Sequence, residues 1–354
     1  MKKVLCFAAA AMAIFASCQK TEVVYSNDGP QEIALFAVNK TATKAPVSGD
    51  DFMGGDDMTV VAYIAEGAID ERGQATFGNF FGPTLFQCEQ GATYYTGQPA
   101  RYWPLTSSTI NFLAVTETGG GVDKTSTVFN ENYGAGATVT LSDNSGYNQN
   151  DLMFAAGQGK HAQGSNYSSV SMVFKHALSW INFEVATTTA TGYSIVVNSI
   201  SLNSAVYQGT LALANANYAS TSNIGTSNVE ATWTPGTPTA KVYVPNAAGD
   251  GKAESVSLTD VPEPFGNGLL VVPNGGAGSF TINYTLTQAD NTKNTFDYTY
   301  NFPQPVSWEM AKKYTYKINI TLSEVEIDPS VEDWQTATAE DVKLDGKGDP
   351  AASN

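Results

Sequence analysis

Thr109-Ile110-Asn111-Phe112-Leu113-Ala114-Val115 is a short run rich in β-branched and aromatic side chains, closed off downstream by Gly119-Gly120-Gly121. Such a run is long enough for a strand and too short for a capped helix. Thr59-Val60-Val61-Ala62-Tyr63-Ile64 and Ser169-Val170-Ser171-Met172-Val173-Phe174 have the same character. The second half of the chain repeats it in Tyr193 to Leu202, Lys241 to Val244, Leu269 to Val272, Phe280 to Leu286, Phe296 to Phe302 and Tyr314 to Leu322. Turn clusters such as Asn267-Gly268 and Asn274-Gly275-Gly276 separate these runs. Many short strands spaced by turns predict an all-β fold of antiparallel sandwiches.

The composition agrees: 11% of residues are aromatic and 32 are glycine, a mix that favours strands and turns. The apolar run Trp180 to Val185 gives way to the polar stretch Ala186 to Gly192, and this change places a domain boundary there. The expected organisation is residues 1–17 removed, 18–31 a linker, 32–186 and 187–330 two β-sandwich domains in tandem, and 331–354 a tail. Both ends are poor in large apolar groups. The region Ser204 to Asn228, rich in Ala, Asn, Ser and Thr, reads either as a long loop or as a weak edge hairpin.

Lys2 and Lys3 precede an uncharged apolar run from Val4 to Ala16, the order of a secretory signal. That run is shorter than the ~20 residues a membrane-spanning helix needs. Phe15-Ala16-Ser17-Cys18 resembles a lipobox, which predicts an acyl anchor of palmitate type on Cys18. With residues 1–17 gone and Cys18 acylated, Cys88 has no partner for a disulfide. Loss of Lys2 and Lys3 takes the formal charge from -16 to -18, which repels phosphate backbones and makes nucleic acid a poor partner.

Catalytic patterns are missing from the sequence. His161 and His176 stand in no metal-ligand spacing, and His176, at the end of Val173-Phe174-Lys175-His176, reads as a packing or strand-end residue. Gly119 to Gly121 and Gly275 to Gly278 lack the remainder of a phosphate loop, and no Gly-x-Ser-x-Gly turn occurs. Tyr94, Tyr95, Tyr102 and Trp103 could stack on sugars if exposed, although core or rim positions are the commoner use. The expectation is a non-enzyme with no catalytic residue, metal or cofactor.

Several elements, in order, resemble the FimA/Mfa-like fimbrillins of Bacteroides-type bacteria. They are the lipobox at Cys18, Glu32 to Val38 followed by Thr43-Lys44-Ala45, Tyr102-Trp103-Pro104 ahead of Ile110-Asn111-Phe112, Asp151 to Ala155, Phe174 to Leu178, Trp308 to Leu322, and Val331 to Trp334. The resemblance implies two transthyretin-like sandwiches, export as an outer-membrane lipoprotein, and assembly into a type V pilus that serves adhesion. It also implies that a trypsin-like protease cuts between Lys44 and Ala45 and releases the strand Ile33 to Val38. That strand would carry Ile33, Leu35 and Ala37 on one face and Ala34, Phe36 and Val38 on the other. The C-terminal segment of another pilin subunit would fill the groove, with Val325, Ile327, Val331, Trp334, Val342 and Leu344 as its apolar candidates. The alternatives are a tail that completes its own domain or is disordered, and a monomeric surface lipoprotein that binds glycan or a host ligand. Stalk and tip positions both fit.

The anchor is testable apart from the rest. Cys18→Ala should abolish acyl labelling and move the protein out of the membrane fraction, and unchanged detergent partitioning would contradict this reading.

Overall fold

A computed structural model describes residues 31–38, 57–66, 76–88, 94–104, 108–119, 123–160, 170–188, 192–215, 229–248, 252–303, 306 and 308–334. Cys18, Lys44, Ala45, His161, Val342 and Leu344 lie outside the described residues.

The first half contains β1 (Ala34–Val38), β2 (Met58–Glu66), β3 (Thr76–Cys88), β4 (Tyr95–Gln98), β5 (Thr109–Gly119), β6 (Thr125–Phe129), β7 (Ala137–Leu141), β8 (Asn150–Lys160), β9 (Val170–Val173) and β10 (Lys175–His176). The middle of the chain contains β11 (Ser179–Ala186), β12 (Ser194–Val206), β13 (Gly209–Asn215), β14 (Val229–Pro235), β15 (Pro238–Tyr243) and β16 (Val256–Ser257). The remainder forms β17 (Glu263–Pro264), β18 (Leu269–Val271), β19 (Ser279–Thr287), β20 (Lys293–Asn301), β21 (Lys312–Ile320) and β22 (Val325–Asp333). The fold is all-β, and among the described residues a 3-10 turn at Tyr133–Ala135 is the only helical element.

One sheet of eight strands runs β10-β8-β5-β2-β3-β4-β1-β9. Its two terminal strands, β9 and β10, are consecutive in sequence and separated by Phe174 alone. The sheet therefore curls until its ends meet on one segment, residues 170–176, and wraps a core of Ile33, Leu35, Val60, Phe86, Tyr95, Phe112, Met172 and Phe174. Closure requires β9 to lie against β8, and two glycines leave the room. A Cβ on Gly157 would stand 2.6 Å from Met172 Sδ, and one on Gly159 would stand 2.5 Å from both Trp103 and Val170 side-chain carbons.

The second core lies between the sheet β17-β11-β21-β22, with β18 also on β11, and the sheet β15-β12-β19-β20, with β16 also on β12. Phe183 on β11 meets Phe280 on β19 edge to face at 5.2 Å, which shows that these sheets pack face to face. Most strand neighbours are antiparallel, as expected, but β1 with β9 and β11 with β21 are parallel.

Pairing moves the expected boundary. β11, which the sequence reading assigned to the first domain up to residue 186, pairs with β17, β18 and β21 and sends Ile181, Phe183 and Val185 into the second core. The polar stretch after it connects β11 to β12, and both strands send side chains into the second core. Part of the unassigned region Ser204 to Asn228 is β13, which pairs with β14 and also with β7 of the first half in a sheet β14-β13-β7-β6. The second half also runs past residue 330, because β22 continues to Asp333.

Gly157→Val should overpack the closure and destabilise the fold by about 1–3 kcal/mol in denaturant unfolding. An unchanged midpoint would mean that β9 does not rest on β8.

Candidate functional site

The sequence reading marked Ile33, Leu35, Phe36 and Val38 as one strand, and the structure places them at the seam where the first sheet closes. β1 pairs antiparallel with β4 through Ala34↔Thr96 and Leu35↔Tyr95, and parallel with β9 from Leu35↔Val170 to Val38↔Val173. Two further bonds extend the hold towards the N-terminus, from Ile33 N–H to Arg101 O at 2.7 Å and from Trp103 N–H to Gln31 O at 2.8 Å. The Arg101 side chain is fixed in turn, with Nε donating to Thr84 Oγ1 at 3.0 Å and the guanidinium over the Phe81 ring.

Both faces of β1 are buried. Ile33, Leu35 and Ala37 belong to the first core, while Ala34 and Phe36, on the opposite face, are also covered. Phe36 lies 6.2 Å from the Tyr94 ring. Burying Ile33 and Leu35 is worth roughly 1.5–3 kcal/mol each, so the strand does not fray away unaided. Tyr95 and Trp103, considered as sugar-stacking aromatics, are buried in this same core, and Tyr102 is the exposed member of that group.

At the other end of the chain, β22 is an edge strand on β21. Pro329 in its middle and the acids Glu326, Asp328, Glu332 and Asp333 guard that edge against further pairing. Val331, a donor candidate from sequence, is exposed on it. Trp334, the next candidate, is not free: it is 5% exposed, and its N–H donates to Ala311 O at 2.8 Å. The Trp334 ring stacks on His176 at 3.6 Å between centroids, with planes 6° apart, and lies 5.6 Å from Trp180. His176 Nδ1 is 2.7 Å from Asp151 Oδ2, and both side chains are buried. His176 thus has the packing role expected of it, as the platform on which the described chain ends.

The two halves are clamped close by. Gln149 Nε2 donates to Leu270 O at 2.8 Å and its Oε1 accepts from Leu270 N–H at 2.7 Å, a two-point grip on one residue of β18. Lys124 Nζ donates to Asn144 Oδ1 at 3.2 Å and to Asn148 O at 2.5 Å; burial holds its pKa below the ordinary value. Sequence reading missed the parallel partner β9, the Gln149 grip and the glycine pair. The last had a visible signal, since Gly157-Gln158-Gly159 puts two glycines on one face of a strand. Among the described residues no cluster of three or more His, Cys, Asp or Glu side chains could hold a metal ion. A shallow depression of about 180 Å³ beside Glu184, Lys317 and Asp328 is smaller than ordinary ligand pockets.

Trp334→Ala should cost about 3 kcal/mol or more in unfolding experiments if the ring is held as described. A loss below about 1 kcal/mol would show that the stack on His176 is not formed in solution.

A family model described as fimbrillin-like matches residues 43–334. No curated protein matches the sequence. Among solved structures, a fimbrial protein from Bacteroides vulgatus aligns over 86% of this chain and 100% of its own, with 16% identity and a TM-score of 0.51. A candidate cell adhesion protein from Bacteroides uniformis aligns over 86% and 98%, with 20% identity and a TM-score of 0.43. At these identities the first likeness speaks for the fold alone, and the second score is too low to add to it.

Proposed function

The chain belongs to the fimbrillin-like family, and on that premise we propose that it is a subunit of a cell-surface fimbria, joined to its neighbours by strand exchange at the slot β1 fills. Proteins of this family are structural or adhesive and are not enzymes. The observation that carries the reading is the position of β1. It closes a sheet between an antiparallel neighbour and a parallel one, and both its faces are buried. Withdrawing such a strand leaves two unpaired edges and an apolar trough, a strong template for a strand from another molecule.

Export as a lipoprotein through Cys18 brings the subunit to the outer membrane, and a trypsin-like protease then cuts between Lys44 and Ala45. While the chain is intact, β1 is held near its slot at high effective concentration and outcompetes any donor. After the cut it can leave, and a donor gains main-chain hydrogen bonds together with burial of alternate side chains. Adhesion is the service that such a fimbria performs, from either a stalk or a tip position.

Lys44→Ala should abolish the ladders that the protease-treated mature protein gives on a denaturing gel without boiling. If the variant still forms ladders with residues 18–44 attached, activation by this cut is wrong, and a ligand-binding lipoprotein becomes the better reading.

A further inference from the structure

β20 ends the sheet β15-β12-β19-β20, and among the described residues no strand pairs with its outer side. Soluble proteins blunt such edges with proline, shortness or bulges. Here β14, β15, β17 and β22 contain Pro235, Pro238, Pro264 and Pro329, and β6 is five residues long. β20 has none of these devices. Its nine residues, from Lys293 to Asn301, run without proline or glycine and keep one unbroken register on β19.

The hairpin fixes which residues offer main-chain groups to a partner. Gln288 N–H donates to Thr292 O and Phe302 N–H donates to Gly278 O, so the even-numbered residues of β20 bond to β19. Lys293, Thr295, Asp297, Thr299 and Asn301 therefore turn their N–H and C=O groups outward. The side chains of these residues share the polar face of the sheet, where Thr295 meets Thr285 at 3.0 Å and Asn283 Nδ2 donates to Asp297 Oδ1 at 2.8 Å. Lys293 is the strand's one cation and Asp297 its one anion. On the other face Phe296 lies 5.4 Å from Tyr284 and is still 44% exposed.

We propose that β20 is an interaction surface for a second copy of this chain, pairing antiparallel with its own counterpart about a two-fold axis through Thr295. That axis sets Lys293 of each copy opposite Asp297 of the other, and the outward groups of residues 293, 295 and 297 exchange about six main-chain hydrogen bonds. The same axis places each Phe296 opposite Asn294 and diagonal to the other Phe296, at the ~7–8 Å that aromatic side chains bridge. One register thus pairs both charges and covers the exposed ring. An axis through Asp297 would overlap more of the strand but put two carboxylates face to face, which is destabilising. An axis through Thr299 would take Lys293 out of reach of Asp297. The contact uses the same patch on both copies and closes on itself, so it yields pairs rather than a fibre. It is independent of strand exchange at β1.

The test uses the uncut mature chain, in which β1 keeps its slot, with Cys18→Ala and Cys88→Ser so that introduced cysteines are its thiols. Thr295→Cys should oxidise to a covalent dimer, because residues opposite each other across bonded pairs stand about 5.5 Å apart at Cα, within disulfide reach. Lys293→Cys alone and Asp297→Cys alone should not, since the two thiols would then be offset by about 13 Å along the strands. Lys293→Cys combined with Asp297→Cys should restore the cross-link. In sedimentation equilibrium of the chain without introduced cysteines, Lys293→Glu should weaken dimerisation by about tenfold or more, and adding Asp297→Lys should bring it back to within about threefold. A chain that stays monomeric at about 1 mM overturns the proposal, as does a charge swap that rescues nothing. So does cross-linking of Asp297→Cys alone in place of Thr295→Cys, which would place the axis elsewhere.

Discussion

The architecture depends on a parallel contact at the point where each half closes. In the first half the opening strand, β1, lies beside the closing strand, β9, with both running the same way; in the second, β11 lies beside β21 in the same manner. Each opening strand has antiparallel neighbours on its other side, β4 for β1 and β17 with β18 for β11. A parallel neighbour cannot be reached through a tight turn, so each of these pairs joins strands far apart in sequence. Their sequence separation makes them costly in loop entropy, and burial on both faces of β1 offsets that cost.

The two equivalent strands differ in how the chain enters and leaves them. β11 is tied to β10 through Ala177 and Leu178, both fully buried, so it cannot be withdrawn without unpicking the junction of the halves. β1 is entered through Gln31 and Ile33, held by backbone bonds to Trp103 and Arg101, and nineteen residues separate it from β2. The same local geometry thus has a buried entry in one half and a long connection to the next strand in the other. What separates them is connectivity, not side-chain chemistry.

This difference also explains what the sequence could reveal. Alternation is a local signal, so Thr109 to Val115 and Phe280 to Leu286 could be read as strands, and the class of fold followed from them. Ile33 to Val38 stood out for the same reason. The change of composition at Ala186 suggested a boundary there, whereas β11, which precedes it, pairs with β17, β18 and β21 of the second half. β13 was obscured by small and polar residues; it is a strand because β7 offers its edge and Leu211 and Leu213 find a core there. Trp334 looked like a tail residue since nothing local shows that a histidine 158 positions earlier, His176, will stack on it.

Residues 170–176 touch both β1 and Trp334. Val170 to Val173 carry β1, His176 pairs with Met153 and carries the ring of Trp334, and Phe174 between them sits in the first core. One short segment is thus a direct neighbour of the strand near the N-terminus and of the residue from which the C-terminal tail departs. Residues that pack on one short segment are candidates for energetic coupling, which a double-mutant cycle between Leu35 and Trp334 would measure.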